Sequence, residues 1–261
     1  MSKKEAVLVV SFGTSHEDTL EKNISAIEAA IGAKFPGIAL RRAFTSGIIM
    51  KILREKKNIQ IDNTAEALER LLSEEYTHVT IQPTHIMNGD EYEKMLSQAL
   101  PYEDRLNISF GRPLLTAVED YKAAAAAVME AIAAPDYDEA IVFMGHGTGH
   151  YANSAYSQFE YILHDLGWKN AFVGTVEGYP ELDEVQNRLK ENPQIKRLRL
   201  YPLMIVAGDH AKNDMAGDEE DSWKTVLESD GYDVSCVLTG MGEMPGIRRI
   251  FAEHALEARG L

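Results

Sequence analysis

Apolar positions along the chain alternate between two rhythms. Short runs rich in Val, Ile and Leu are separated by longer stretches whose apolar residues recur every three or four positions. The first run, residues 6–12, reads as a β-strand. Leu20, Ile24, Ile27 and Ile31 then share one face of a helix over residues 19–35, with Thr14 and Ser15 as candidate caps. Further strands are predicted over 38–45, 78–82 (closed by Pro83) and 107–110, and helices over 47–56, 64–73 and 89–100. A helix over 118–134, ending at Pro135, leads into a second series. There the strands are 139–144, 171–176, 196–201 and 232–238, and the helices 154–166, 182–191, 222–229 and 245–258. The strands are apolar throughout rather than alternating, as in sheets covered on both faces. Regular strand–helix alternation predicts parallel sheets with crossover helices, an α/β fold.

The two series resemble each other. Ser11-Phe12-Gly13-Thr14 aligns with Gly145-His146-Gly147-Thr148, and Ala43-Phe44 with Ala171-Phe172. Pro83 followed by Gly89-Asp90-Glu91 aligns with Pro202 followed by Gly208-Asp209-His210. An internal duplication predicts two similar lobes, residues 1–125 and 126–261, each a parallel sheet flanked by helices, with a cleft between them.

Ligands of parallel α/β sheets bind outside the carboxyl ends of the strands. In the first half those ends carry Ser11-Phe12, Thr45-Ser46 and residues 83–90; in the second they carry His146, Glu177 and residues 202–210. Two imidazoles and a carboxylate therefore come from three different strand ends. Such a set suits Co²⁺, Ni²⁺, Fe²⁺ or Zn²⁺ and leaves coordination positions open, as a site that passes its metal on requires. Each residue has a plain structural alternative: a hydrogen-bonded His146, Glu177 beside a helix start, His210 in a polar loop. The first half has Phe12 where the second has His146, and Glu91 where it has His210. His85 and His150 lie close enough to the expected cleft to stay open, while His16, His78, His164 and His254 are expected to have neither partner nor role. The loop Gly145-His146-Gly147-Thr148-Gly149 lacks the lysine of a phosphate loop. Neither Ser11 nor Ser46 sits in a nucleophile-elbow context. Asp214, Asp218, Glu219, Glu220 and Asp221 read as a solvated face, with cation attraction as the functional alternative.

Composition narrows the partners. The 261 residues carry a formal net charge of -15, which argues against nucleic acid. Hydrophobic residues make up 45%, and no run approaches the length of a membrane helix. The single Cys236 excludes an internal disulfide and a cysteine-rich zinc site. The opening Met1-Ser2-Lys3-Lys4-Glu5 and its short apolar run do not read as a signal peptide. The chain is expected to be soluble and cytoplasmic, with no membrane partner and no organic cofactor; a homo-oligomer is compatible with the sequence.

Five segments together carry a family resemblance: Val9-Val10-Ser11-Phe12-Gly13-Thr14-Ser15, Gln82-Pro83-Thr84-His85, Met144-Gly145-His146-Gly147-Thr148, Gly174-Thr175-Val176-Glu177-Gly178, and Pro202-Leu203-Met204 through Ala207-Gly208-Asp209-His210-Ala211. Over nearly its whole length the chain resembles the anaerobic cobalt chelatases of cobalamin synthesis, class II chelatases that act on sirohydrochlorin and share a two-lobed fold with the ferrochelatases. The resemblance implies His146 as catalytic base and metal ligand, with Glu177 and His210 as the other ligands and Co²⁺ as the substrate metal. Ser11, Phe12, Gly13, Met87, Gly89 and Glu91 are then expected to face the ring. Phe12 and Met87 would pack on it, and backbone N–H groups at Gly13-Thr14 and Gly89, with Arg or Lys at the rim, would meet its carboxylates. Some relatives also bind haem. A non-catalytic carrier and a metal-assisted hydrolase are the competing readings.

Overall fold

In the computed structural model, residues 3–260 are described; Met1 and Ser2 of the opening segment, and Leu261, lie outside them. The first half holds β1 (Glu5–Ser11), α1 (Glu17–Thr19), α2 (Ala26–Lys34), β2 (Ala39–Phe44), α3 (Gly47–Lys57), α4 (Thr64–Ser73), β3 (His78–Pro83), α5 (Asp90–Ala99) and β4 (Asn107–Phe110). Helix α6 (Val118–Ala131) crosses to the second half. That half holds β5 (Glu139–Gly145), α7 (Ser154–Asp165), β6 (Ala171–Thr175), α8 (Leu182–Lys190), β7 (Arg197–Pro202), α9 (Trp223–Ser229), β8 (Asp233–Cys236) and α10 (Pro245–Ala258). All sheet pairings are parallel. The orders β2-β1-β3-β4 and β6-β5-β7-β8 are the same topology twice.

Strand register tests the duplication residue by residue. Val10 pairs with Pro83 and Met144 with Pro202, so the two prolines are equivalent, as the sequence alignment has them. Ser11 pairs with Phe44, however, and Gly145 with Thr175. The counterpart of Ala43-Phe44 is therefore Gly174-Thr175, and the alignment with Ala171-Phe172 is three residues out. Short apolar strands slide past one another in sequence because every position looks alike; only the ladder fixes the register.

Pleat alternation divides each strand between two apolar layers. Ala6, Leu8 and Val10 face a cluster with α4 and α5, through residues such as Leu68 and Met95, while Val7 and Val9 face the other way. In β5, Ala140, Val142 and Met144 face outward towards Val185 and Leu227; Ile141 and Phe143 face inward. The two inward layers join a single core with Ile27, Val128, Phe159 and Phe251 from α2, α6, α7 and α10. The final helix packs on α2 and α6, so the chain returns to the first sheet at its end. The boundary between residues 125 and 126 falls within α6.

The helix predicted over 19–35 is longer and less regular than the pattern suggests. It starts at Glu17 and widens into a π-turn over Leu20–Ser25 before α2. Asn23 lies fully buried there, with Gly240 and Gly242 so close that a Cβ on either would strike it. No helix among the described residues is long and apolar enough to cross a membrane.

A candidate metal-handling cleft

The carboxyl ends of both sheets open onto one cleft of about 400 Å³. Eight of the nine residues expected there line it: Ser11, Phe12, Gly13, Met87, Gly89, Glu91, His146 and His210. Glu177 is not among them.

His146 follows β5 directly. Its Nδ1–H donates to the Gly147 carbonyl at 2.9 Å, which leaves the Nε2 lone pair free. Gly147 has φ of +83°, and a Cβ there would meet the Glu177 main chain at 2.7 Å, so this turn needs glycine. The Gly147 N–H donates to the hydroxyl of Tyr156, a buried residue of α7 whose phenol burial pushes up. His210 opens a second π-turn, Ala211–Met215, rather than lying in a loop. Its Nδ1–H donates to Asp214 Oδ2 at 2.5 Å, again leaving Nε2 free. The two rings meet edge to face with centroids 4.7 Å apart. Both imidazoles are thus held in one tautomer by an outer partner, the arrangement that makes good metal ligands.

Glu177 lies just past β6. Its N–H donates to the His146 carbonyl at 2.8 Å, but its side chain is exposed. No group of three or more metal-ligating side chains is assembled among the described residues. The structure therefore brings the two histidines together and keeps Glu177 beside them through its backbone only.

The opposite wall comes from the first sheet. Phe12 is 46% exposed there, unusual for an aromatic residue at a strand end. Gly13, with φ of +105°, packs on the Phe44 ring where a Cβ would strike it at 2.6 Å. The Glu91 carboxylate stands 3.7 Å from Lys94 Nζ and keeps a buried Oε2 without a partner. No Arg or Lys lines the cleft among the described residues; Lys94 stands beside its first-lobe wall, next to Glu91. His85 is buried in this wall, and burial, then Lys94, pushes its imidazole down to about 4.

Four histidines expected to lack partners all have them. His16 lines the cleft and donates to Asp209 of the other half at 3.0 Å. His78 bonds Thr77, His164 the Ala171 carbonyl, and His254 both Arg112 O and Asp120. Three of these pairings span more than a hundred residues, which no local pattern reveals. His150 also crosses the cleft, to Glu93 at 3.2 Å, beside a Thr148–Asp90 bond of 2.8 Å. The Asp214 contact with His210 is the one that sequence reasoning missed, reading Asp214 as part of a solvated run. Its spacing of four from His210 was the available signal, because such residues are neighbours on a helix. The rest of that run is exposed, with Asp218 paired to Lys224.

A family model described as cobalt chelatase (CbiK) matches residues 5–259. The chain belongs to the cobalt chelatase (CbiK) family. It is an enzyme of the chelatase class, which places metal ions in tetrapyrroles. Among curated relatives, the sirohydrochlorin cobaltochelatase of Salmonella typhimurium is 43% identical over 258 residues, covering 98% of this chain and 96% of that one. Sirohydrochlorin cobaltochelatase CbiKC of Nitratidesulfovibrio vulgaris is 33% identical over 259 residues, covering 98% and 90%. Among solved structures, SirB from Bacillus subtilis with Fe³⁺ superposes with a TM-score of 0.66 at 17% identity, covering 98% of this chain and 95% of that one. CbiX, described as the terminal enzyme for siroheme biosynthesis in denitrifying bacteria, gives 0.54 at 16% identity, covering 97% and 98%. These two likenesses concern the fold alone.

Proposed function

We propose that this cobalt chelatase inserts Co²⁺ into sirohydrochlorin in anaerobic cobalamin synthesis, acting in the cytoplasm. The observation that carries the reading is the pair of imidazoles with free Nε2 atoms on one wall of a cleft, with the exposed Phe12 and the largely buried Met87 on the other. Insertion removes two pyrrolic protons from the ring as the ion sheds its water. Borderline nitrogen ligands hold Co²⁺ well enough to collect it and leave positions open for the ring nitrogens. The same pair would accept Ni²⁺ or Fe²⁺, with Co²⁺ favoured by kinship to the named relatives.

His146 and His210 hold the ion from the second-lobe side, and the exposed Glu177 carboxylate, tethered to His146 through its backbone, swings in as the third ligand. With Nδ1–H committed to Gly147, His146 has one lone pair for two tasks. It releases the ion before it accepts a ring proton, so the roles are sequential. Ser11, Gly13, Gly89 and Glu91 border the ring on the first-lobe side, and Phe12 and Met87 pack on its face. The two lobes are residues 1–125 and 126–261 by this division, with α10 bound across them.

The test mixes metal-free protein, excess Co²⁺ and sirohydrochlorin and follows the visible spectrum. Turnover of many ring equivalents per chain is expected; a change that stops at one equivalent would make the protein a carrier instead. His146→Ala should abolish insertion while its circular dichroism stays that of the parent. Wild-type turnover in that variant would sink the assignment.

A further inference from the structure

A ring rich in carboxylates has to be received in a cleft without a cationic side chain. Asp90, Glu91 and Asp209 line that cleft, and His16, His85, His146 and His210 are its imidazoles. Anion recognition must then come from neutral donors and backbone N–H groups. Three helices begin at the cleft on the first-lobe side, and they differ in charge. The first turn of α1 holds Glu17 and Asp18, and that of α5 holds Asp90, Glu91 and Glu93. The first turn of α3 holds no acid.

The start of α3 keeps backbone donors to spare. Its cap residue Ser46 accepts from the Ile49 N–H, which leaves those of Gly47 and Ile48, orphaned as in any helix start. Ser46, Ile48 and Ile49 all line the cleft, and Ile48 is 74% exposed, so nothing covers this end. Next to it, His85 is 8% exposed and lines the same cleft. Its Nε2 lies 3.3 Å from the hydroxyl of Thr45, the residue before the cap, and its Nδ1 has no partner at all. A buried polar nitrogen left unbonded is destabilising by about 1–3 kcal/mol and calls for a reason. Lys94 Nζ adds positive charge at the same point by donating to the Thr45 carbonyl at 2.5 Å.

We infer that the N-terminus of α3 and His85 together form a carboxylate subsite, which takes one acidic arm of the tetrapyrrole through the Gly47 and Ile48 N–H groups and His85 Nδ1. A neutral imidazole has one proton to give. Donation by the Thr45 hydroxyl to Nε2 fixes that proton on Nδ1, ready for an acceptor. Burial and Lys94 keep His85 neutral, so the subsite is a set of donors rather than a fixed charge. The α3 dipole and the nearby ammonium supply the field that favours an anion there.

The inference rests on the chelatase reading, and the test separates the two. Binding of metal-free sirohydrochlorin and of its neutral, fully amidated form is measured by fluorescence quenching, without any insertion step. Three variants are compared with the parent: His85→Leu, His85→Gln, which keeps a donor, and Ile48→Asp, an exposed change that puts a carboxylate in the subsite. His85→Leu should weaken binding of the acid roughly tenfold, the value of a lost charge-assisted hydrogen bond, and leave the amide unchanged. His85→Gln should recover part of the loss. Ile48→Asp, which suits a first helical turn and should fold normally, should repel the acid alone. Equal losses for acid and amide, or no loss in either His85→Leu or Ile48→Asp, would overturn the subsite. A parent protein that binds neither ring would overturn the chelatase reading itself, and the subsite with it.

Discussion

At the scale of single residues, the two histidines are equal in kind but not in support. His146 leans on a neutral carbonyl, whereas His210 leans on the Asp214 carboxylate. An outer carboxylate raises ligand basicity and fixes the ring, and its loss typically weakens metal binding 10- to 100-fold. Asp214→Ala should therefore weaken Co²⁺ binding by about that factor in calorimetric titration of the metal-free protein, with little change in ring binding. A change below about twofold would mean that the contact does not orient the ligand. Both histidines were legible from the sequence because they fall where strands end and where the duplicated half has Phe12 and Glu91. Asp214 was hidden by its neighbours, since four further acids within seven residues make the segment read as solvent-facing. Glu177 was legible as a strand-end carboxylate, but the direction of its side chain depends on the Gly147 turn beneath it, which spacing does not encode.

At the scale of elements, strand and helix identities followed from apolar rhythm, and helices α4 and α10 match their predicted bounds. The π-turns at Leu20–Ser25 and Ala211–Met215 did not follow, because one extra residue per turn leaves the apolar spacing nearly intact. Nor did the destination of α10, which is fastened by its apolar face and by a polar cluster around the buried Asp120 and His254. Arg112 pairs with Asp120 through two bonds of 2.9 Å and also binds Glu257, while His254 of α10 reaches both Arg112 O and Asp120 at 3.1 Å. Burial pushes the Asp120 carboxyl up, but Arg112, the Ala117 N–H and His254 outweigh it and hold it at about 2. A depressed carboxyl contributes stability that is complete above its unfolded value near 4 and is lost as pH falls through about 2. The contribution is about 2 kcal/mol. Asp120→Asn, which leaves Arg112 without its buried partner, should lower stability at pH 7 by about 3 kcal/mol in urea unfolding. The gap from the parent should shrink as pH falls from 4 towards 2. A gap that stays constant over that range would show that Asp120 does not fasten the helix.

At the scale of the whole molecule, the net charge of -15 acts on the two substrates in opposite senses. Co²⁺ is drawn to an acidic protein and a polycarboxylate ring is repelled, and salt screens both over about 10 Å at 0.1 M. Raising ionic strength should therefore slow Co²⁺ capture and speed ring association in stopped-flow mixing; parallel changes would rule out steering by the overall field. Acidity was plain from composition, whereas the bare cleft was not, because cations at the rim were the simplest expectation for an acidic ligand. The two lobes were legible from the repeat. Their common core was not, since the rhythm that marks an apolar face does not say which sheet it meets. Both imidazoles rise from the second sheet, and the wall opposite has Phe12 and Glu91 in their places. A cleft so divided is handed. A tetrapyrrole whose two sides differ would be metallated from one side alone, and its mirror image, equal in size, charge and chelating power, would lie in the same space facing the wrong way.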